Sequence, residues 1–572
     1  MAAYLAALTL DKLRITVVAR EFLADGDFWG PLDRRERWYG TRYKEYAFDA
    51  PSIASLAALR APPRGGVALP KPNKFLPRDL RIRFPPVAAT PAVEAVDAAA
   101  PESLGDASGW TGRYAGDRYF NRPRAIVFAG ARVLSVVEDP TSAMLGKIWR
   151  LSALDSLQER LWPARVAGLQ YSLEVGGRGV SLSFSGYADG LGALARDVCG
   201  FAAKHAGPAN AGDALRYVDL LRRDLQTKFK PYETTGLAST LALTKDQPSD
   251  AQLLAALDGL ASDGGAALVD RVRRFSREKL WAGGGAVDAA GADVLVEGNF
   301  DRAEAAALFR TVAAALPLAT RPPPEAGRRP APVGLALPRS CALRLGAESI
   351  GPDEAQNACE LVVGVGAGRR ATALANVYAT LLKATFFDTL RTKEQLGYVV
   401  QLGLRALPGA ARPAALVLLV QGDAAPAKLA TRLAAFVENE ATAAVARLDD
   451  AGLASVVAGL VAAKLEPDRR LFDQTGRHWE EIRRCRDAAV EGGALAPDWV
   501  RRYEAAETLK SLTAAEVRDY WTSTVRPGAA GTFGVEVYGR RAAPEPPREG
   551  QLVARSPVDA RRFLAPLDLP VS

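Results

Sequence analysis

Apolar and polar positions along the chain form two kinds of run, and the runs recur twice in the same order. An apolar, strand-like run from Ala125 to Val133 precedes a segment, Thr141 to Arg160, in which Leu145, Ile148, Trp149, Leu154 and Leu157 repeat at helical spacing. Leu161 and Gly168 follow, then an alternating stretch from Tyr171 to Val175 with the period of a half-buried strand. The second round reads Cys359 to Val365 as strand, Ala371 to Leu390 as helix, Leu390 and Gly397 at the same separation, and a strand from Tyr398. Each round adds a strand ending in glycine (Val180 to Gly186; Ala415 to Gly422), a helix, and later a closing strand backed by glycine (Val294 to Gly298; Val535 to Gly539). Two copies of one α+β unit follow from that order.

Between the copies the periodicity stops. Residues 61–109, 320–338 and 541–557 are rich in proline, alanine and glycine and read as linkers. Leu13 to Ala19 (LRITVVA) reads as one more closing strand, behind a short helical segment from Tyr4 to Lys12. The expected organisation is therefore 1–60 as the C-terminal remnant of a preceding domain, 61–109 as linker, two domains over 110–335 and 336–540, and a tail over 541–572. The alternative for 1–60 is a small extension packed on the first copy.

Composition narrows the classes. With 48% hydrophobic and 24% charged residues among 572, the chain is globular and long enough for two or three domains. The formal charge of +8 is spread without a dense Lys/Arg block, which argues against a nucleic-acid arm and leaves mild attraction for acidic partners. No apolar run is long enough to span a bilayer, and Met1 to Leu10 lacks the basic start of a signal peptide. The 4 cysteines form no CxxC pair, which excludes zinc-ribbon and redox motifs and points to a reducing, cytoplasmic setting.

Only 2 histidines are present, His205 and His478, too far apart in sequence for a self-contained histidine zinc site. His478-Trp479-Glu480-Glu481-Ile482 puts an isoleucine where a second ligand would stand, so His478 is expected on a helix surface. His205 is expected at a helix end, where a cation suits the dipole. No GxxxxGK[ST], GxGxxG or GxSxG pattern occurs, which leaves phosphate-loop, dinucleotide and serine-hydrolase chemistry without a carrier.

The most specific segment is Phe386-Phe387-Asp388-Thr389-Leu390-Arg391-Thr392-Lys393-Glu394-Gln395-Leu396-Gly397-Tyr398-Val399-Val400. Taken alone it is a charged helix end, a glycine able to turn left-handed, and a strand opening on an aromatic. It resembles the LRTKEQLGY signature of the insulin-degrading-enzyme (insulysin) subfamily of M16 zinc metalloproteases, in the C-terminal half of that family's long chain. Trp38-Tyr39-Gly40-Thr41-Arg42-Tyr43, Leu69 to Pro77, the Glu159 to Tyr171 segment, Gly186-Tyr187, Gly298-Asn299 and Trp479-x-Glu481-Ile482 resemble other family segments in the same order.

The resemblance implies a fold: two repeated M16-type (LuxS/MPP-like) α/β-roll domains, each an antiparallel sheet packed with helices, plus the tail of a preceding domain. It also implies a function, the C-terminal half of a metalloendopeptidase that encloses and cleaves peptides. Arg391 and Tyr398 would reach toward the substrate as donors to the oxygen that becomes negative when a peptide carbonyl is attacked. Zinc, the family's cofactor, has no motif in this chain, because the inverted HxxEH is missing; the metal would come from a zinc-bearing N-terminal M16 half, in the same gene or a separate chain. In the first copy Trp162 stands where the second has Arg391, so the donor is lost there and Trp162 is expected to pack. Lys393 and Glu394 read as a solvated ion pair without a role. The expected partners are peptide substrates and that N-terminal half, with a homo-oligomer left open and neither nucleic acid nor membrane. The competing reading is a non-catalytic M16-like partner or peptide-binding pseudoenzyme.

Overall fold

A computed structural model describes residues 9, 12–18, 32–58, 72–84, 100–136, 139–177, 179–244, 247–320, 341–407, 412–490, 495–526, 532–542, 546 and 552–561. The chain divides into a small unit, Met1–Asn73, and a large one, Lys74–Ser572. In the small unit β1 (Arg34–Arg35) and β2 (Arg42–Tyr43) pair antiparallel. Their turn is held by Glu36, whose carboxylate accepts from the N–H groups of Tyr39 at 2.6 Å and Trp38 at 2.7 Å. Asp49 accepts from the Ser52 N–H at 2.7 Å and starts α1 (Ala50–Ala58).

The strand expected over Leu13 to Ala19 is not formed: 13–18 carry no pairing, and Ile15, Val17 and Val18 are exposed. A strand needs a neighbour to take its backbone groups, and among the described residues of this unit none lies beside it. The helical segment expected ahead of it lies, apart from Thr9 and Lys12, outside the described residues.

The large unit begins with 74–84 strapped onto the first sheet's layer. Phe75 is buried in its core, and Asn299 receives the Arg83 N–H at 2.7 Å while donating to the Arg81 carbonyl at 2.8 Å. Then come β3 (Glu102–Ala107), β4 (Trp110–Gly116), β5 (Arg124–Val133), α2 (Pro140–Arg160), α3 (Trp162–Val166), β6 (Gln170–Gly176) and β7 (Gly179–Tyr187). Helices α4 (Ala188–Ala202), α5 (Ala211–Gln226), α6 (Pro231–Ala242), α7 (Asp250–Ala261) and α8 (Gly265–Lys279) lead to β8 (Val287–Gly298), α9 (Arg302–Ala315) and β9 (Leu318–Thr320). The strands order as β3-β4-β8-β5-β7-β6, with β9 beside β8. β3 lies inside the stretch read as linker; its pairing with β4 across Ser108 and Gly109 is a hairpin whose sequence, ESLGDASG, hides the alternation.

The second sheet is built from β10 (Cys341–Leu345), β11 (Asn357–Gly366), β12 (Val399–Ala406), β13 (Ala414–Gly422), β14 (Thr532–Val537) and β15 (Leu552–Ala554), ordered β12-β13-β11-β14-β10-β15. Helix α10 (Gly368–Phe387) joins β11 to β12, and α11 (Pro426–Phe436), α12 (Thr442–Ala446), α13 (Asp450–Lys464), α14 (Leu471–Val490), α15 (Arg501–Lys510) and α16 (Ala514–Tyr520) lie between β13 and β14. In both sheets the long ladders are antiparallel; β4 on β8 and β10 on β14 are parallel additions at one margin.

Local chemistry starts the first of the two long helices. Asp139 caps α2 by accepting from Thr141 N and Ser142 N at 2.7 and 2.9 Å, and Pro140 presets its first turn. Each sheet then buries its helix under aromatics whose polar ends are satisfied: Trp149 donates to the His205 carbonyl at 2.8 Å, and Tyr378 to the Val517 carbonyl at 2.8 Å.

The two layers also exchange a helix. α6, from the first half of the unit, lies on the second sheet: Ser239 Oγ donates to Glu360 at 2.6 Å and the Tyr232 N–H to Gln421 at 2.9 Å. α14, from the second half, lies on the first sheet, with Trp479 stacked on Phe128 at 5.6 Å and Arg486 donating to the Gly130 carbonyl at 2.7 Å.

That exchange corrects one expectation. His478 is not on a helix surface; it is 1% exposed, and its Nδ1 meets the buried Glu297 carboxylate of β8. What buries it is a sheet far away in sequence, invisible to the local helical pattern.

Candidate functional site

The segment singled out in the sequence is where α10 loosens. Beyond Phe387 the backbone widens into a π-helical turn, Asp388–Lys393, a rare form that often accompanies functional positions. Leu390 stays buried and its carbonyl receives the Leu396 N–H at 2.9 Å, so the chain folds back over its own helix end. The left-handed residue is Gln395, φ 52°, and not Gly397 as expected. Gly397 is needed for a different reason: a Cβ there would sit 1.9 Å from the Gln421 carbonyl oxygen, and one on Gly422 would sit 1.9 Å from that of Leu396. Two glycines thus let two backbones cross where Tyr398 leads into β12.

Glu394 is not part of a solvated pair with Lys393. It accepts three contacts from the Arg432 guanidinium of α11, at 2.6 to 3.0 Å, while Lys393 bonds Asp388 at 2.7 Å on the surface. The turn is therefore tied down beside Arg391.

Arg391 and Tyr398 are brought together. The guanidinium lies 4.4 Å from the centre of the Tyr398 ring and 5.2 Å from that of Phe387, and its Nη1 donates to the Tyr398 carbonyl. Tyr398 is 76% exposed, and its hydroxyl has no hydrogen-bond partner among the described residues. The pair lines an open cleft of about 1390 Å³ between α10, α6 and β12, and also borders a second hollow of about 540 Å³. The cleft floor carries a polar cluster the sequence reading missed: Glu360, buried, bound by Arg405 at 2.7 and 3.0 Å and by Ser239. Phe387, at the Arg391 guanidinium, was also missed, although its place one turn ahead of Arg391 on a helix was a usable signal.

In the first copy Trp162 is 57% exposed, beside a shallow hollow lined by Asp155, Gln158 and Glu159. The expectation that it packs is wrong, because α3 turns it away from the core that Leu161 and Ala164 enter.

Neither histidine offers a ligand set. His205 does not act as a cation at a helix end: its Nε2 meets Ser152 Oγ at 2.7 Å, its ring stacks on Phe201 at 4.9 Å, and burial lowers its pKa to about 4, so it is neutral. Glu481, three residues after His478, is bound by Arg484 and Arg501. Among the described residues there is no group of three His, Cys, Asp or Glu side chains placed to hold a metal ion, so these residues do not fit a zinc site. Neither Cys199 nor Cys341 is an activated thiol, since burial pushes the first up to about 12 and the second up to about 11.

Comparison with known proteins gives similarities in sequence and in fold. The family model described as the middle or third domain of peptidase M16 matches residues 1–256, and one for the C-terminal lobe domain 4 of PqqF-like PQQ synthases matches 377–479. These matches are consistent with an insulysin-like M16 protein. It is 24% identical to the insulin-degrading enzyme of Homo sapiens over 493 residues, 83% of this chain and 44% of that one. It is 23% identical to a nardilysin-like protein of Arabidopsis thaliana over 489 residues. The chain thus spans about half the length of the curated relatives it matches. The crystal structure of pitrilysin shares the fold, with a TM-score of 0.72 and 17% identity over 93% of this chain and 52% of that one. A structure titled as a peptidase M16 inactive domain from Pseudomonas fluorescens gives 0.50 with 15% identity over 78% of this chain.

Proposed function

We propose that this insulysin-like chain supplies the substrate and transition-state contacts of a peptide-hydrolysing enzyme, with zinc held by an N-terminal M16 half, whether from the same gene or a separate chain. The observation that carries the reading is Arg391 clamped between Phe387 and Tyr398 at the mouth of the cleft, with the phenol exposed and unpartnered among the described residues. A peptide carbonyl under attack gathers negative charge on oxygen. A phenol O–H and a guanidinium held in place beforehand are donors to that charge and need little rearrangement as it forms. Clamping matters because a free arginine would have to be ordered during each turnover. No metal-dependent step is assigned to residues of this chain, and peptides are its proposed substrates, in a reducing, cytoplasmic setting. Among the described residues no helix is long and apolar enough to cross a membrane.

A second reading, a non-catalytic M16-like partner or peptide-binding pseudoenzyme, draws on the lack of a ligand set and on the neighbour titled as an inactive domain. Retention of both donors in a tied-down turn favours the first. The test is reconstitution. The purified chain is expected to hold no stoichiometric zinc by mass spectrometry and to leave a short fluorogenic peptide intact, and to hydrolyse it once joined to a zinc-bearing N-terminal half. Arg391→Lys, which keeps charge but loses the planar fork, should then lower kcat. One tightly held zinc in the isolated chain, or unchanged kcat in the variant, would overturn the reading.

A further inference from the structure

The two sheets end on equivalent strands, β6 and β12, and the two edges are finished differently. On β6, Arg150 of α2 donates through Nε to the Leu173 carbonyl at 2.9 Å and reaches Glu174 at 2.6 Å. A guanidinium on an outward carbonyl in mid-strand closes the edge to further strands. Leu173 faces Leu182 of β7 as Leu402 faces Leu418 of β13. The sequence separation that carries Leu161 to Leu390 and Leu173 to Leu402 carries Arg150 to Ala379, and a methyl group cannot reach an edge carbonyl.

Which backbone groups of β12 face outward follows from two observations. Arg391 takes the Tyr398 carbonyl, and Leu173, the counterpart of Leu402, presents its own carbonyl to Arg150. Alternation along an antiparallel strand then turns Val400, Leu402 and Leu404 outward. Among the described residues no side chain bonds the backbone of these three. They run along the 1390 Å³ cleft. The flanks of that edge are apolar and exposed: Phe387 of α10 on one face of the sheet, Phe229 and Leu237 on the face covered by α6, and Leu404 on the strand itself.

We infer that β12 is a docking edge for an extended peptide segment with bulky apolar side chains at alternate positions. The occupant is an extended polypeptide because only such a chain offers donors and acceptors at the strand's own repeat; a helix or an acyl chain would leave the edge groups without protein partners between the apolar flanks. Its side chains fall alternately toward Phe387 and toward Phe229 and Leu237, and its course runs directly to Tyr398 and Arg391. The inference rests on the reading of this chain as the peptide-holding half of an M16 enzyme, and names the element that does the holding.

The experiment is fluorescence anisotropy of the whole chain with a labelled octapeptide alternating leucine and threonine, and with two analogues N-methylated at every leucine or at every threonine. Saturable binding of the parent is expected, with one analogue about tenfold weaker and the other close to the parent, since only one set of amides meets the strand. Ala379→Arg, which rebuilds the cap found on β6, should weaken binding about tenfold. If that variant does not fold by circular dichroism, Leu404→Asp, whose side chain lies outside the core, decides in its place and should weaken binding similarly. Equal binding of all three peptides, no saturable binding of the parent, or wild-type affinity in the folded variants would each overturn the docking edge. The outcomes separate from those for the catalytic reading. Tyr398→Phe with full kcat but intact peptide binding strikes the catalytic role alone, whereas lost kcat with wild-type binding in Ala379→Arg strikes the docking edge alone.

Discussion

At equivalent turns the two sheets hold opposite chemistry. After α2, Leu161 is followed by an exposed Trp162 among Gln158, Glu159 and Asp155; after α10, Leu390 is followed by Arg391, gripped by Phe387 and Tyr398. The backbones differ as well. The first copy makes a short helix and turns on Gly168, φ 78°, whereas the second makes a π turn, puts Gln395 in the left-handed region and keeps Gly397 for a backbone crossing. The two copies thus share the layout of their cores and differ at this turn, where the second holds the guanidinium and phenol proposed as donors. The lesson is that the core specifies the repeat and the turn specifies the chemistry.

The comparison can be broken most strongly at the exchanged helices. His478→Leu leaves the Glu297 carboxylate buried without its partner and should cost about 3 to 5 kcal/mol in chemical denaturation, with His478→Leu/Glu297→Met recovering most of it. Ser239→Ala on α6 leaves Glu360 still bound by Arg405 and should cost about 1 kcal/mol. Similar losses at both helices would mean the buried pair has no special weight.

Next in size are the paired glycines. Gly397→Ala places a methyl group into the Gln421 carbonyl and should cost about 3 kcal/mol or more. Gly168→Ala meets the Tyr187 ring at an ordinary 3.5 Å and carries only the strain of its positive φ, about 1 to 2 kcal/mol. The reverse ranking would show that the crossing of backbones is not what Gly397 serves.

Acid sensitivity should separate the copies more gently. His205 lies in the first core with its pKa lowered to about 4 from 6.5. The unfolded chain therefore binds this proton first as pH falls. Stability from this group is whole above pH 6.5 and is lost as pH drops toward 4. At pH 5 the loss is about 2 kcal/mol relative to pH 7, and His205→Asn should remove it from the difference between thermal melts at the two pH values.

Much of this was legible in the pattern of positions. β5 with α2, and β11 with α10, showed their apolar periods, and Arg391 and Tyr398 stood in a segment specific enough to single out. Other features depend on partners distant in sequence. Leu13 to Val18 has strand composition, but composition does not supply a neighbouring strand. His478 sits on a polar-looking helix, and only the opposing sheet makes its surroundings buried. Gln395 takes the left-handed turn, while the clash that demands glycine at Gly397 comes from β13, on the far side of a hairpin. The bare edge of β12 became visible only once Arg150 was seen covering its counterpart.

The central claim is that the second copy carries donors for peptide hydrolysis and the first does not. The direct measurement is kcat on a short fluorogenic peptide, in the enzyme reconstituted with a zinc-bearing N-terminal half, for Tyr398→Phe beside Trp162→Phe. Removing the phenol O–H while keeping the ring should lower kcat by about 10² to 10³, with less change in KM. Trp162→Phe should stay within about twofold of the parent. A Tyr398→Phe enzyme with the parent's kcat would contradict the account, and Tyr398 would then be an aromatic that merely holds Arg391 in place.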